Sequence, residues 1–278
     1  MSRRPPLKPR GFSLVELAMV LFIVGILMLS LMSTLSSQIE QRNIDDTRRR
    51  LEQARELLLA FAIVNGRLPC PARTSSPITA STSSEMRDAA TGNCTSGGID
   101  DYYGGPLAGG LTGGLLPALT IGYQQVDAYG FAVDAWQNRI RYAVAKTNTG
   151  CTTSPPANTR LFTHAVNLKT YGIACQPDDL LICKSSAGIT ASACGGAANQ
   201  VMSQSLLVAV IFSTGKNGAI GGTGADEAAN LNSSSVDPIF VYHTPTPSSA
   251  TYGEFDDQML WITVGEFYGR LIAGGVLP

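Results

Sequence analysis

The stretch FSLVELAMVLFIVGILMLSLMSTL, residues 12–35, decides the fold, because it is apolar or small throughout except for Glu16. At about 1.5 Å per residue a helix of this length spans roughly 36 Å, enough to cross a hydrocarbon core. A charge at the centre of a membrane helix costs roughly 2.5 to 3.5 kcal/mol, so such a residue usually faces a partner or serves a function. The run therefore predicts a transmembrane helix whose one carboxylate has a role.

The flanks of this run predict its orientation. Residues 1–11 hold four basic side chains and no acidic one, which predicts a cytoplasmic leader and an exported body. The whole chain has a formal net charge of -1 and 15% charged residues. That balance excludes strong disorder and gives no basic footprint, so we expect no nucleic-acid partner.

The helix is predicted to continue beyond the apolar run. No Pro or Gly occurs between residues 36 and 65, and Ile44, Leu51 and Leu58 recur at a seven-residue spacing on one face. One helix from about residue 13 to residue 65 follows, with Gly66 and Pro69 as stop signals. Its outer half, residues 36–66, is amphipathic and must pack on the downstream body or on another chain.

Residues 67–278 are predicted to form a loop-rich head of the α+β class. Strand patterns occur at five places, and GEFYGRLIAGG, residues 265–275, predicts a short final helix. The strand candidates are 139–145, 160–166, 205–213, 238–244 and 258–264. Residues 72–118, rich in Ser, Thr and Gly, predict a surface excursion with little core of its own. An antiparallel sheet packed on the outer half of the long helix is the simplest arrangement.

All six cysteines fall in the exported part, and none forms a C-x-x-C pair. They are Cys70, Cys94, Cys151, Cys175, Cys183 and Cys194. An even count in an oxidising compartment favours disulfides over a metal site. Six cysteines allow fifteen full pairings, and we favour the sequential one, because its loops are the shortest; the alternative is that some are buried free thiols.

Three interpretations of the N-terminus compete. A plain signal anchor needs only a basic flank and an apolar span. A conventional signal peptide would be cleaved after the span, at Thr34-Leu35-Ser36. The third interpretation places cleavage between Gly11 and Phe12, so that the span remains as the mature N-terminus. Only the third gives Glu16 a use.

The segment RGFSLVELAMVLFIVGIL, residues 10–27, resembles the cleavage and methylation segment of type IV pilins and type II secretion pseudopilins. The resemblance implies that a prepilin peptidase cuts after Gly11, that Phe12 becomes N-methylated, and that Glu16 is the fifth mature residue. It also implies an assembly contact, in which the Glu16 carboxylate of one subunit neutralises the Phe12 amine of its neighbour. Two buried charges that are each costly alone become tolerable as a hydrogen-bonded pair.

Two further positions match the pattern of the pilin family only in part. Gly25 matches a helix-weakening glycine found in many pilins, although this chain has no proline in the long helix. The segment VDAWQNRIRYAV, residues 133–144, is similar to the Asp-x-Trp-Gly segment of pseudopilin heads, with Gln137 where Gly is common.

The head contains no convincing catalytic motif. Ser213 and Lys216 fit an S-x-x-K pattern without its companion boxes, and the two histidines, His164 and His243, lie in predicted strands without metal-binding spacing. We therefore expect a protein that is not an enzyme and has no organic cofactor.

Calcium is the one metal that the acidic loops would suit, because it prefers six to eight oxygen ligands. The candidate ligands are Asp100, Asp101, Asp226, Glu227, Asp256 and Asp257. A calcium site is compatible with the resemblance to pseudopilins, since some pseudopilin heads bind calcium. No EF-hand spacing is present, and the alternative is that these side chains are simply solvated.

The resemblance implies a minor pilin or pseudopilin with four parts: a cytoplasmic leader (1–11), a membrane and filament-core helix (12–35), its amphipathic continuation (36–66) and a periplasmic head (67–278). It would sit in the bacterial inner membrane before joining a filament. Its partners would be other pilins, prepilin peptidase and the inner-membrane assembly platform. The alternatives are a pilus-borne adhesin or ligand-binding module, and a signal-anchored periplasmic enzyme.

Overall fold

A computed structural model describes residues 13–74, 83–96, 99–107, 111–146, 160–220, 222, 224–231 and 237–277. The side chains of residues 28–36, 96, 99, 106, 107, 111 and 220 are outside this description. The chain divides into two compact units, one ending at Asp45 and the other beginning at Asp46.

The long helix α1 runs from Leu14 to Asn65, a length of 52 residues, as the sequence predicted. Its end is set by Gly66, which has a φ of +67° and donates its N–H to the Ala62 carbonyl at 2.8 Å. A left-handed glycine directly after the last helical residue is a common way to end a helix. The outer half buries Leu51, Ala54 and Leu58, and these three side chains belong to the main hydrophobic core.

The main sheet has three antiparallel strands with the most apolar one in the centre. These strands are β5 (Arg141–Val144), β8 (Leu207–Ser213) and β10 (Gln258–Thr263), in the order β10-β8-β5. Every residue of β8 is buried, as expected of a strand with neighbours on both sides. The core residues of β8 belong to the same cluster as the buried face of α1, so the predicted packing of a sheet against the outer half of the helix is confirmed.

A second three-stranded sheet departs from the prediction of a purely antiparallel head. It consists of β6 (Leu181–Cys183), β7 (Gln200–Met202) and β9 (Ile239–Val241), in the order β7-β6-β9. β6 pairs with β9 in parallel and with β7 antiparallel. The long connection between β6 and β9 carries β7, β8 and a helix, which is enough chain for a parallel crossover.

The remaining regular elements are short. Two hairpins are formed by β1 (Thr95–Ser96) with β2 (Ile99–Asp100) and by β3 (Gly105–Leu107) with β4 (Leu111–Gly113). The short helices are α2 (Ala118–Ile121), α3 (Ala165–Tyr171) and α4 (Ala225–Asn230), and the final helix α5 covers Val264–Ala273. Turns of 3-10 helix lie at Gly172–Ala174, Ala197–Asn199, Gln204–Leu206 and Gly218–Ile220.

Two ion pairs join the outer half of α1 to the C-terminal part of the head. Arg55 donates to the Trp261 carbonyl at 3.2 Å and forms an ion pair with Glu266 in the first turn of α5. Arg270, one helical turn further on, pairs with Glu56 at 3.1 Å. These contacts attach α5 and the end of β10 to the same segment of α1.

Two predictions for the head are wrong. Residues 160–166 do not form a strand: Leu161 and Phe162 are both buried in a turn, and α3 begins directly after His164. His243 likewise lies just beyond the end of β9.

Residues 72–118 are not a surface excursion without a core, because Tyr102 and Leu115 are 0% and 1% exposed. Tyr102 is held inside because its hydroxyl accepts the Cys94 N–H and Arg160 lies over its ring.

The disulfides follow the sequential pairing where they can be described. Cys70 is bonded to Cys94 and Cys183 to Cys194. Cys175 is disulfide-bonded as well, while its expected partner Cys151 lies outside the described residues. The alternative of free thiols is thereby excluded for the described cysteines.

Candidate functional site

The first turn of α1 is closed by a reciprocal pair of hydrogen bonds. The Ser13 N–H donates to Glu16 Oε2 at 2.9 Å, and the Glu16 N–H donates to Ser13 Oγ at 3.2 Å. The Leu17 N–H donates to the Ser13 carbonyl, which makes Ser13 the N-cap. This arrangement is a capping box, and it places a carboxylate at the positive end of the helix dipole.

Behind this cap, α1 presents apolar side chains on all sides. Every large apolar residue between Leu14 and Leu27 is exposed, from 42% at Val24 to 85% at Leu14. A helix that is apolar all round is typical of a segment buried by lipid or by other helices. Burying each such side chain is worth about 1.5 to 3 kcal/mol, so the segment has a strong drive to be covered. Within the described ranges, we find no helix that combines the length and the apolarity needed to cross a membrane.

The predicted processing residues and the predicted helix-weakening glycine differ in whether the structure describes them. Gly11 and Phe12 lie outside the described residues. Gly25 lies inside the continuous α1, and a Cβ added there would have no heavy atom within 4 Å beyond its own helix backbone. Nothing in the described chain therefore demands a glycine at this position for lack of space. The weakening role of Gly25 stays a prediction.

The loop that resembles the pseudopilin head segment is built around Asp134. Asp134 Oδ1 accepts the N–H groups of Trp136 and Asn138 at 2.9 and 2.8 Å. Within this turn, Gln137 has a φ of +69° and is the one non-glycine residue with positive φ in the described ranges. The structure thus demands a left-handed conformation at the position where glycine is common in the resembling proteins.

The same loop is attached to the outer half of α1. Thr47 Oγ1 accepts the Ala135 N–H at 3.1 Å, and the Arg50 guanidinium donates to the carbonyls of Val133 and Asp134 at 3.1 and 2.7 Å. Burial raises the pKa of Asp134, and its hydrogen-bond donors oppose that shift. The loop therefore links the helix to the head.

The six candidate calcium ligands are separated into different environments. Asp100 forms ion pairs with Lys146 and Arg160. Asp101 is 1% exposed, and its Oδ1 accepts the Gly114 N–H at 3.0 Å. Asp226 accepts the Ser186 N–H and contacts His243 Nε2 at 3.0 Å. These three carboxylates are engaged by other groups and do not come together.

The other three candidates, Glu227, Asp256 and Asp257, do come together. One carboxylate oxygen from each lies within 4.8 Å of the others. Amide groups satisfy part of the set: Asn217 Nδ2 donates to both oxygens of Glu227, and Asn230 Nδ2 donates to Asp257. Burial raises the pKa of Asp256 to about 6 and raises that of Asp257 strongly, with the neighbouring Glu227 adding to both shifts. These three residues are therefore the remaining candidate calcium ligands, and calcium binding stays a prediction.

The S-x-x-K pattern has a structural explanation at its serine. Ser213 is fully buried at the end of β8, and its hydroxyl donates to Asp134 Oδ2 at 2.6 Å. Ser213 Oγ also accepts the Gly215 N–H. A hydroxyl engaged in this way supports the Asp134 loop.

One residue of the candidate site, Ser13, was not among those predicted from the sequence. Ser13 stands three residues before Glu16, and S-x-x-E before an apolar run is the known signature of a capping box. The signal was present in the residues themselves. By contrast, no spacing could indicate the cluster of Glu227 with Asp256 and Asp257, because they lie on segments about thirty residues apart.

Comparison with known proteins identifies the N-terminal segment. Residues 7–32 match the family described as the prokaryotic N-terminal methylation motif, the signal of type IV pilins and pseudopilins. No curated protein and no solved structure matches the chain. The motif supports a type IV pilin-like protein. It implies prepilin-type processing, assembly with other pilin subunits and a membrane-anchored, filament-associated location.

Proposed function

We propose that this chain is a minor pilin or minor pseudopilin, a structural subunit of a type IV pilus or of a type II secretion filament. One observation carries the proposal: the methylation motif at residues 7–32 coincides with a helix whose large apolar side chains, between Leu14 and Leu27, are all exposed. A segment of this kind gains free energy when it is surrounded by other apolar helices or by lipid. A structural role needs no catalytic group, and we propose none.

The proposed maturation begins with cleavage after Gly11 and N-methylation of Phe12. The capping box would survive this cut, because it involves only Ser13 and Glu16. Cleavage creates a cationic amine one residue before Ser13. The cap holds Glu16 Oε2, and in the assembled state a second carboxylate lone pair accepts the amine of a neighbouring subunit's Phe12.

The proposed location is the bacterial inner membrane, with one span and the head in the periplasm. The apolar sequence from Phe12 to Leu35 is long enough for the span, and the four basic residues before it favour a cytoplasmic leader. After cleavage the subunit leaves the membrane for the filament. The assembly platform and prepilin peptidase are the partners that this route requires.

The size of the head favours a minor subunit over the bulk repeating one. A loop-rich head of this size is harder to repeat along a tightly packed filament than a compact one. Among the minor subunits, the presence of Glu16 argues against the largest tip pseudopilins, because these typically lack the glutamate at the fifth mature position.

A filament-incorporation experiment tests this proposal. Filaments are sheared from cells that express the full chain or the Gly11→Asp variant, which blocks the junction, and both fractions are probed with an antibody to the head. We expect the wild-type chain in the sheared filament fraction and the variant only in the membrane fraction. Equal amounts of both chains in the filament fraction, or the absence of both from it, would contradict the proposal.

A further inference from the structure

A groove of about 520 Å³ runs between the outer half of α1 and the outer edge of β10. Its walls include Glu52 and Glu56 from the helix, and Met259 and Trp261 from the strand. Among the strands that the structure describes, β10 is an edge strand, since its one partner in the sheet is β8. The groove therefore adjoins a sheet edge that can still accept hydrogen bonds.

The register of the sheet shows which peptide groups face the groove. Val208 bonds toward β5, because its carbonyl accepts the Ala145 N–H at 2.8 Å. The alternate residues of β8, Ala209 and Ile211, therefore face β10, where they pair with Ile262 and Leu260. The intervening residues of β10, Met259 and Trp261, must direct their peptide groups away from β8.

A hydrogen bond from α1 to the outer edge of β10 agrees with this assignment. The Trp261 carbonyl accepts Arg55 Nε from α1 at 3.2 Å, so it does point away from β8. In the described part of the chain no hydrogen bond reaches the N–H of Met259, the carbonyl of Met259 or the N–H of Trp261. A carbonyl oxygen has two lone pairs, so the Trp261 carbonyl can accept a second donor beside Arg55.

The side chains around this edge specify what would fit there. Trp261 packs edge-on against Tyr242, with ring centroids 5.5 Å apart, and both rings line the groove. On the facing wall, the side chains of Glu52 and Glu56 are each 54% exposed. Their ion pairs with arginines are surface pairs, which are weak and can be exchanged for another cation.

We propose that the outer edge of β10 binds an extended segment of a partner protein, which adds a strand beside Met259 and Trp261. The segment alternates apolar residues, which contact the Trp261 and Tyr242 rings, with basic residues, which face Glu52 and Glu56. Main-chain hydrogen bonds supply the affinity and the alternating side chains supply the selectivity. The unpaired edge covers three residues, roughly 10 Å of strand, so the segment is short. Met259 is 4% exposed, so the side chains that cover it must move aside when the segment binds.

This proposal concerns the head and the outer half of α1, and it does not rest on the filament role of residues 12–35. Its failure would leave the proposed function intact. The competing interpretation is that Arg55 merely protects the edge, as charged side chains do on many edge strands. The two interpretations differ in whether an added peptide can form main-chain hydrogen bonds with β10.

The chain has two tryptophans, so the Trp136→Phe variant leaves Trp261 as the reporter in the groove. The full chain carrying this substitution, in detergent micelles, is titrated with the synthetic peptide acetyl-Lys-Val-Lys-Val-Lys-Val-amide. The control peptide has the same side chains with every peptide nitrogen methylated. We expect a saturable change in Trp261 emission with the first peptide and none with the second. The reverse variant, Trp261→Phe, should show no change with either.

The charge component is tested with Glu52→Gln combined with Glu56→Gln. We expect this double variant to bind the unmethylated peptide about three- to tenfold more weakly at low salt. The proposal is overturned if the two peptides give equal responses, or if neither changes the emission up to about 1 mM. Equal affinity of the double variant and its parent would overturn the basic-residue specificity.

Discussion

Ser13 and Glu16 cap the long helix by exchanging hydrogen bonds at 2.9 and 3.2 Å, each donating its own backbone N–H to the side chain of the other. The carboxylate inside the apolar segment therefore has a partner within its own chain. The capping box orients Glu16 before any neighbouring subunit arrives. In the proposed assembly, the amine of a second chain binds to a carboxylate that is already positioned.

Replacing Ser13 by Ala should loosen the start of α1. The substitution removes the acceptor for the Glu16 N–H, and losing an N-cap side chain costs about 1 kcal/mol of helix stability. Hydrogen exchange of the full chain in detergent should show faster exchange at the Glu16 amide. Ser13→Thr keeps the hydroxyl and should exchange like the wild type. Equal exchange in all three chains would contradict the capping assignment.

Charge and capping at Glu16 can be separated by comparing Glu16→Gln with Glu16→Ala. Glutamine is also accepted at this position of a capping box, but it cannot neutralise a neighbouring amine. We expect both variants to be cleaved after Gly11 and both to be depleted from sheared filaments, because each lacks the negative charge. Wild-type incorporation of Glu16→Gln, with loss of Glu16→Ala alone, would show that capping is what matters.

Replacing Gln137 by Gly should stabilise the head. Gln137 is held at a φ of +69°, a conformation that costs a residue with a Cβ roughly 1 to 2 kcal/mol. Glycine avoids this cost, but it loses more conformational entropy on folding, which offsets part of the gain. We expect a net gain of about 1 kcal/mol in the free energy of unfolding, measured by denaturant titration of the full chain. Gln137→Ala keeps the Cβ and should show no gain. A gain of equal size in both variants would contradict the backbone argument.

The head should be more stable at pH 5 than at pH 8. Burial raises the pKa of Asp101 to about 7, whereas the same carboxyl in the unfolded chain titrates near its ordinary value. The folded state therefore binds the proton more tightly, and its stability falls as the pH rises from about 4 to 7. The full decrease in the free energy of unfolding is at most about 4 kcal/mol.

Asp101→Asn is the matched control for this pH dependence. Asparagine is uncharged at every pH and resembles the protonated acid in shape, and its side-chain oxygen can still accept the Gly114 N–H. We expect denaturant titrations of this variant to show a smaller slope between pH 5 and pH 8 than those of the wild type. A slope of the same sign remains from Asp256 and Asp257, because burial raises the pKa of both carboxyl groups. An unchanged slope would show that Asp101 is ionised throughout.

The long helix and the main sheet could be predicted because their signals extend over many residues. α1 has no helix breaker from residue 36 to residue 65, and β8 is a run of seven apolar or small residues that suits a central strand. β6 and β7 were missed, because three residues are too few to show an alternation. Their pairing with β9 depends on tertiary contacts that no local pattern encodes.

The errors around residues 160–166 have a similar origin. The apolar pair Leu161 and Phe162 suggested a strand, but Phe162 instead packs edge-on against Phe267 of α5, with ring centroids 5.8 Å apart. A contact with a residue about a hundred positions away determined the local structure. At the N-terminus the opposite holds, since Ser13 and Glu16 are three residues apart and their pairing could have been predicted.

The identity of the mature N-terminal residue decides whether this chain is processed as a pilin. The full-length protein is isolated from cells with and without prepilin peptidase, and its N-terminal peptide is identified by mass spectrometry. Pilin-type maturation predicts a chain that begins with N-methyl-Phe12 when the peptidase is present and that keeps Gly11 and the basic leader when it is absent. A mature chain that begins near Ser37, or one that keeps its leader in peptidase-positive cells, would contradict the proposed maturation.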